Sequence, residues 1–199
     1  MKRAVRFITL WSLSLTFACG LDQGGSALDV NFEKYELDNG LDVVLHVDRS
    51  DPVVAVAMTF HVGSAREVRG RTGFAHLFEH LFFLDSENLP SGGLDRLMTR
   101  VGSSTNGSTN TDRTNYYETV PTNALELALW MEADRMGFLL PALTEAKLAN
   151  QQDVVRNERR QSYEIAPYGE VWAVLAKEMW PAGHPYHHTT IGSHEDLEA

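Results

Sequence analysis

An α+β fold, with helices packed against an antiparallel sheet, is predicted by three observations: two adjoining β-rich runs, five later stretches with helical patterning, and a polar strand pair among them. Residues 41–47 and 53–62 are the β-rich runs, and the Asp48-Arg49-Ser50-Asp51-Pro52 turn between them makes them an expected antiparallel hairpin. The stretch from Phe74 to Leu84 is among the most apolar in the chain and predicts a buried helix; residues 92–101 predict another. Residues 102–119 are small and polar and fit a flexible linker, yet they run into a β-prone stretch at 115–120 that fits an edge strand equally well. Three further helices are expected, over 122–139 with Thr122 placed to cap it, over 145–164, and over 169–179. Trp130, Trp172 and Trp180 fall on or beside these helices at spacings that suit core packing. At 199 residues and 43% hydrophobic content the chain can bury a core, and a single domain is expected.

His76-Leu77-Phe78-Glu79-His80 carries the chemistry. Two histidines four apart stack on one face of a helix, and Glu79, three residues from His76, projects from the same side. By chance His-x-x-Glu-His should occur in about one chain in a hundred of this length, and the bland reading is a helix with solvated polar residues. The apolar setting argues against that, because burying two imidazoles and a carboxylate without partners costs several kcal/mol. A metal ion is the simplest common partner, and the pattern points to a metal-dependent hydrolase. A catalytic zinc site takes three protein ligands and leaves a fourth position open. Glu158, in Val154-Val155-Arg156-Asn157-Glu158-Arg159-Arg160, is the candidate third ligand; on pattern alone it is equally a solvated helical glutamate paired with arginines.

Over residues 32–199 the sequence resembles the pitrilysin-type inverzincin metallopeptidases, the group of insulin-degrading enzyme and the mitochondrial processing peptidases. The resemblance rests on blocks in the family's order: Leu37-Asp38-Asn39-Gly40-Leu41, Val62-Gly63-Ser64-Ala65-Arg66-Glu67, and Gly73 through Leu81. Asn106 through Thr119, Asn157-Glu158-Arg159-Arg160-Gln161 and Gly183-His184-Pro185-Tyr186 follow. It implies a zinc endopeptidase acting on extended peptides or unfolded polypeptides, with one Zn²⁺ per chain held by His76, His80 and Glu158. The 77 residues between His80 and Glu158 are close to the family's spacing. Glu79 would take a proton from the attacking water and return it to the departing amine. Asn106, Ser108 and Thr109 would line a cleft in which substrate adds as a strand. Gln151 is a departure, since many relatives carry a glutamate there that supports the ligands. Relatives continue past this point with more of the domain and a second homologous half, so the domain is expected to be incomplete at its C-terminus. The rival reading is a non-catalytic partner subunit that binds peptides or scaffolds a two-chain peptidase; retention of all four site residues favours the catalytic member.

The N-terminus reads as a targeting segment. Lys2, Arg3 and Arg6 precede an apolar run over 7–17, giving a signal peptide of residues 1–19, a tether over 20–31 and export to a bacterial periplasm or cell envelope. Cys19, the only cysteine, lies where the apolar run ends and is a candidate lipidation site and membrane anchor; ordinary cleavage near Ala18 is the alternative. The formal charge of −10, which becomes −13 without the three leader cations, and the lack of a basic stripe argue against nucleic acid as a partner. His184, His187 and His188 cluster in a Pro- and Gly-rich stretch and could form a second metal site, although loop histidines more often pack on neighbours. His46 and His61 read as structural residues of strands.

Overall fold

The structure, a computed structural model, describes residues 30–198; the leader, Cys19 and nearly all of the tether lie outside the described residues. The chain divides into two compact units between Arg49 and Ser50. In the first, β1 (Glu33–Glu36) and β2 (Asp42–Leu45) form an antiparallel pair in which Glu36 faces Asp42. Their turn is built by Asn39, whose side chain accepts from the Leu41 amide (3.2 Å), and by Gly40 at φ +85°, a conformation that favours glycine. The expected hairpin between residues 41–47 and 53–62 is therefore corrected. The Asn-Gly turn gives β2 a hairpin partner on its N-terminal side, and the next strand pairs elsewhere.

In the second unit β3 (Val53–Phe60), β4 (Ser104–Thr109) and β5 (Thr114–Pro121) form an antiparallel sheet in the order β3-β5-β4. Along β5, Thr114, Tyr116, Glu118 and Val120 are buried while the residues between them are not, the period-two signature of a strand with one face on a core. Residues 102–119 are thus no linker, and the edge beside the site is β4, with 115–120 lying in the central strand. The signal that decides this is Asn110, whose side chain accepts from the amides of Asp112 (2.8 Å) and Arg113 (2.9 Å) and folds β4 back onto β5.

Helices α1 (Phe74–Leu81), α2 (Gly93–Arg100), α3 (Leu125–Ala142), α4 (Glu145–Arg159) and α5 (Val171–Met179) match the expected positions, and a short α6 (His194–Leu197) follows. Thr144 caps α4 by accepting from the Lys147 amide, and the helix runs on into a π-helical turn over Arg160–Ile165. Thr122 does not cap α3. It opens a 3₁₀ turn over Thr122–Ala124 and its side chain makes no cap hydrogen bond, while its amide is taken by the Pro52 carbonyl. The tryptophans are not core residues either: Trp130 and Trp172 are 44% and 69% exposed, and Trp180 stacks on His184. The core lies in two clusters. Val56, Leu94, Met98, Val120, Ala128 and Met131 join the sheet to α2 and α3; Leu77, Leu81, Leu139, Val155, Ile191 and Leu197 join α1 to α3, α4 and α6.

Charged side chains are buried beneath the sheet. Arg135 grips Glu132 with Nε and Nη2 and lies over the Tyr116 ring, 4.4 Å from its centroid. Glu118, 1% exposed and 4.0 Å from Arg135, receives little of that cation. Burial first, and the Glu132 carboxylate second, push its carboxyl up to about 8 from 4.5. The folded state therefore holds one more proton than the unfolded chain between these values. Its contribution to stability is full below 4.5 and is lost as pH rises toward 8. Glu118→Gln should remove that slope: urea midpoints of the two proteins diverge in the variant's favour between pH 5 and 8. Parallel profiles would contradict the burial argument.

Candidate metal centre

Helix α1 begins against a carboxylate. Gly73 sits at φ +92°, and a Cβ there would lie 2.7 Å from the Ile191 carbonyl, so only glycine lets the chain enter the helix this close to the loop before α6. Gly73 has no side chain to cap with. Glu67 supplies the cap from six residues upstream, its two oxygens accepting from the Gly73 amide (2.9 Å) and the Ala75 amide (2.8 Å). His188 Nε2 stands 3.0 Å from Glu67 Oε2, and that carboxylate raises the His188 pKa above the ordinary imidazole value. Sequence reasoning gave Glu67 no role; an acid shortly before a helix start was the available signal.

Leu77 and Leu81, one turn apart, are fully buried, and Val155 of α4 lies in the same cluster. Burying these residues turns His76 and His80 to one side of α1, and Glu158, three residues beyond Val155, toward them. His76 Nε2 and His80 Nε2 are 3.3 Å apart, and Glu158 Oε2 lies 3.8 Å from the first and 3.3 Å from the second. Three donors at about 2.0–2.1 Å from a tetrahedral zinc stand roughly 3.3 Å from one another, so the donor set fits that ion. Among the described residues this is the one such cluster of three or more His, Cys, Asp or Glu donors. Burial holds His76 below the ordinary imidazole pKa against the opposing pull of Glu158, which keeps it in the neutral, ligating form. The hydrogen bond to His80 holds the Glu158 carboxyl below its ordinary value despite partial burial.

Glu79 leaves the same helix toward β4. Its Oε2 accepts from Thr109 Oγ1 at 2.5 Å, and its Cγ and Oε1 lie so close over Gly107 that a Cβ there would come within 3.1 Å of both. A polar cleft of about 410 Å³ opens beside it, lined by Glu79, His80, Phe83, Leu84, Asp95, Thr105, Asn106 and Gln151. Of the three residues expected to line a substrate cleft, Asn106 faces this space, and its side chain accepts from the Gly107 amide. Ser108 donates to Asn115 (2.7 Å), and the Thr109 hydroxyl is engaged by Glu79. Gln151 stands in the cleft wall where the helical stripe Gln151, Val155, Glu158 places it. A larger apolar cleft, about 540 Å³, lies on the other side of α1 against Phe74, Phe78 and Phe82 and touches none of the three donors. The loop histidines do not converge on a common point: His184 stacks on Trp180, His187 faces the Trp180 carbonyl, and His188 faces Glu67.

Residues 42–180 match the family model described as Insulinase (Peptidase family M16). This chain belongs to that family. The M16 chain is 34% identical over 167 residues to the zinc protease PqqE of Helicobacter pylori, covering 83% of this chain and 37% of that protein. It is 27% identical to human insulin-degrading enzyme, covering 82% of this chain and 16% of the enzyme. Among solved structures, a protease from Helicobacter pylori superposes with a TM-score of 0.80 at 34% identity, over 85% of this chain and 40% of that one. Pitrilysin superposes at 0.73 and 26% identity, over 85% and 18%. The M16 chain thus spans well under half the length of the relatives it matches.

The α1 packing makes a stability forecast. Leu77→Ala should cost about 2–5 kcal/mol, whereas Phe78→Ala on the half-exposed neighbouring position should cost much less. Chemical denaturation of both variants checks this, and equal losses would mean that α1 is not seated through Leu77.

Proposed function

We propose that this chain is the metal-binding part of a zinc-dependent endopeptidase acting on extended peptides or unfolded polypeptides. The observation that carries the reading is the triangle formed by His76, His80 and Glu158, with the Glu79 carboxylate beside it on the same helix. Two imidazoles and one carboxylate suit zinc among the available divalent ions. Held by His76, His80 and Glu158, zinc would supply a Lewis acid for peptide hydrolysis. The chain's own residues do the rest. Glu79 receives the water proton on Oε1, since Oε2 is engaged by Thr109, and later delivers it to the departing amine. Asn106 and the edge of β4, unpaired among the described residues, receive the substrate backbone as an added strand, a mode that selects for extended conformation over sequence. A second homologous half or subunit would close over that strand from the solvent side. The apolar leader at residues 1–19 supports export to the cell envelope, with Cys19 as the candidate lipid anchor.

Cleavage of an unfolded protein, assayed beside metal content, tests the reading. Wild type should carry zinc and lose activity to a chelator. Glu79→Gln should keep the zinc and lose at least about 100-fold in turnover, while Glu158→Gln should lose the zinc itself. Cleavage by Glu79→Gln at the wild-type rate would overturn the mechanism.

A further inference from the structure

We propose that Thr109, backed by Thr114, is a positioning residue that fixes the Glu79 carboxylate in one orientation; the proposal rests on the peptidase reading above and refines it. Glutamate reaches its carboxylate through three rotatable bonds, and a group left to sample them is seldom aligned for proton transfer. Glu79 is held at two points. Its Cγ and Oε1 lie against the β4 backbone at Gly107, and Oε2 accepts from Thr109 Oγ1 at 2.5 Å. Thr109 is held in turn. Directly across the strand pair, the Thr114 hydroxyl stands 3.2 Å from Thr109 Oγ1 and donates to the Val62 carbonyl at 2.9 Å. Thr114 is 6% exposed, so this support lies out of solvent.

The chemistry of a hydroxyl suits this place. It donates one proton and accepts up to two. Facing a carboxylate, Thr109 donates to Oε2. When the water proton arrives on Oε1, Oε2 keeps its acceptor lone pairs and Thr109 goes on donating to it. Glu79 is thereby gripped both before and after it carries that proton, with Oε1 left open to take it and give it up.

Thr109→Val and Thr109→Ser in the full chain test this. Valine keeps the shape and removes the hydroxyl; serine restores the hydroxyl. In the metal-free chain, the side-chain carboxyl ¹³C resonance of Glu79, assigned with Glu79→Gln, should be one narrow line in wild type and Thr109→Ser. In Thr109→Val it should shift and broaden as the carboxylate samples several orientations. With zinc loaded, Thr109→Val should keep its metal content and KM and lose about 10- to 100-fold in kcat, with Thr109→Ser recovering most of it. An unchanged Glu79 resonance in Thr109→Val overturns the proposal, as does a rise in KM at constant kcat, which would make Thr109 a substrate contact. If wild type cleaves nothing while the resonance responds as described, the positioning stands and the peptidase reading of this chain falls.

Discussion

Leu77 and Leu81 are seated beneath α1 in one cluster with Val155 of α4, and this buried contact governs the chemistry above it. A helix turns as a rigid rod, about 100° per residue, so seating two of its side chains fixes the direction of all the others. Once Leu77 and Leu81 face the core, His76 and His80 share the adjoining sector. Val155 does the same for α4 and brings Glu158 over them. The three candidate donor atoms thereby come together in one place.

The sheet imposes a second constraint, on the Glu79 carboxylate. Gly107 brings the β4 backbone against Glu79, and the residues that share its strand face, Thr105 and Thr109, line the same side. The three candidate ligands thus belong to a helix pair and Glu79 to a helix–strand contact, with α1 common to both. Glu67 anchors the start of α1, and Gly73 lets the chain pass close to the loop before α6, which explains why an eight-residue helix can carry so many functional groups.

What could be read from the sequence follows the range of the interactions. His76, Glu79 and His80 were legible because their spacing within one helix already places them together. Glu158 lies 77 residues away, and its helical pattern alone left it balanced between ligand and solvated surface; the packing of α1 on α4 decides its position. Helix positions were legible from apolar period, strand partners were not. The Asp48–Pro52 turn suggested that β2 pairs with β3, whereas Asn39-Gly40, which has the better hairpin chemistry, turns β2 back onto β1. The β4–β5 turn hid in a polar stretch whose composition is that of a linker, and only the Asn110 side chain marks it. Glu67 and the contact of Thr109 with Glu79 need strand-face parity and tertiary approach, neither of which a linear pattern states.

X-ray absorption at the zinc edge of the reconstituted chain reads the metal's ligands without requiring turnover. One zinc per chain is expected, with two imidazole nitrogens and oxygen donors near 2.0–2.1 Å, and that bound zinc should be lost in His76→Ala and in His80→Ala. A site with one imidazole or none in wild type, or one unchanged by either substitution, would contradict this expectation.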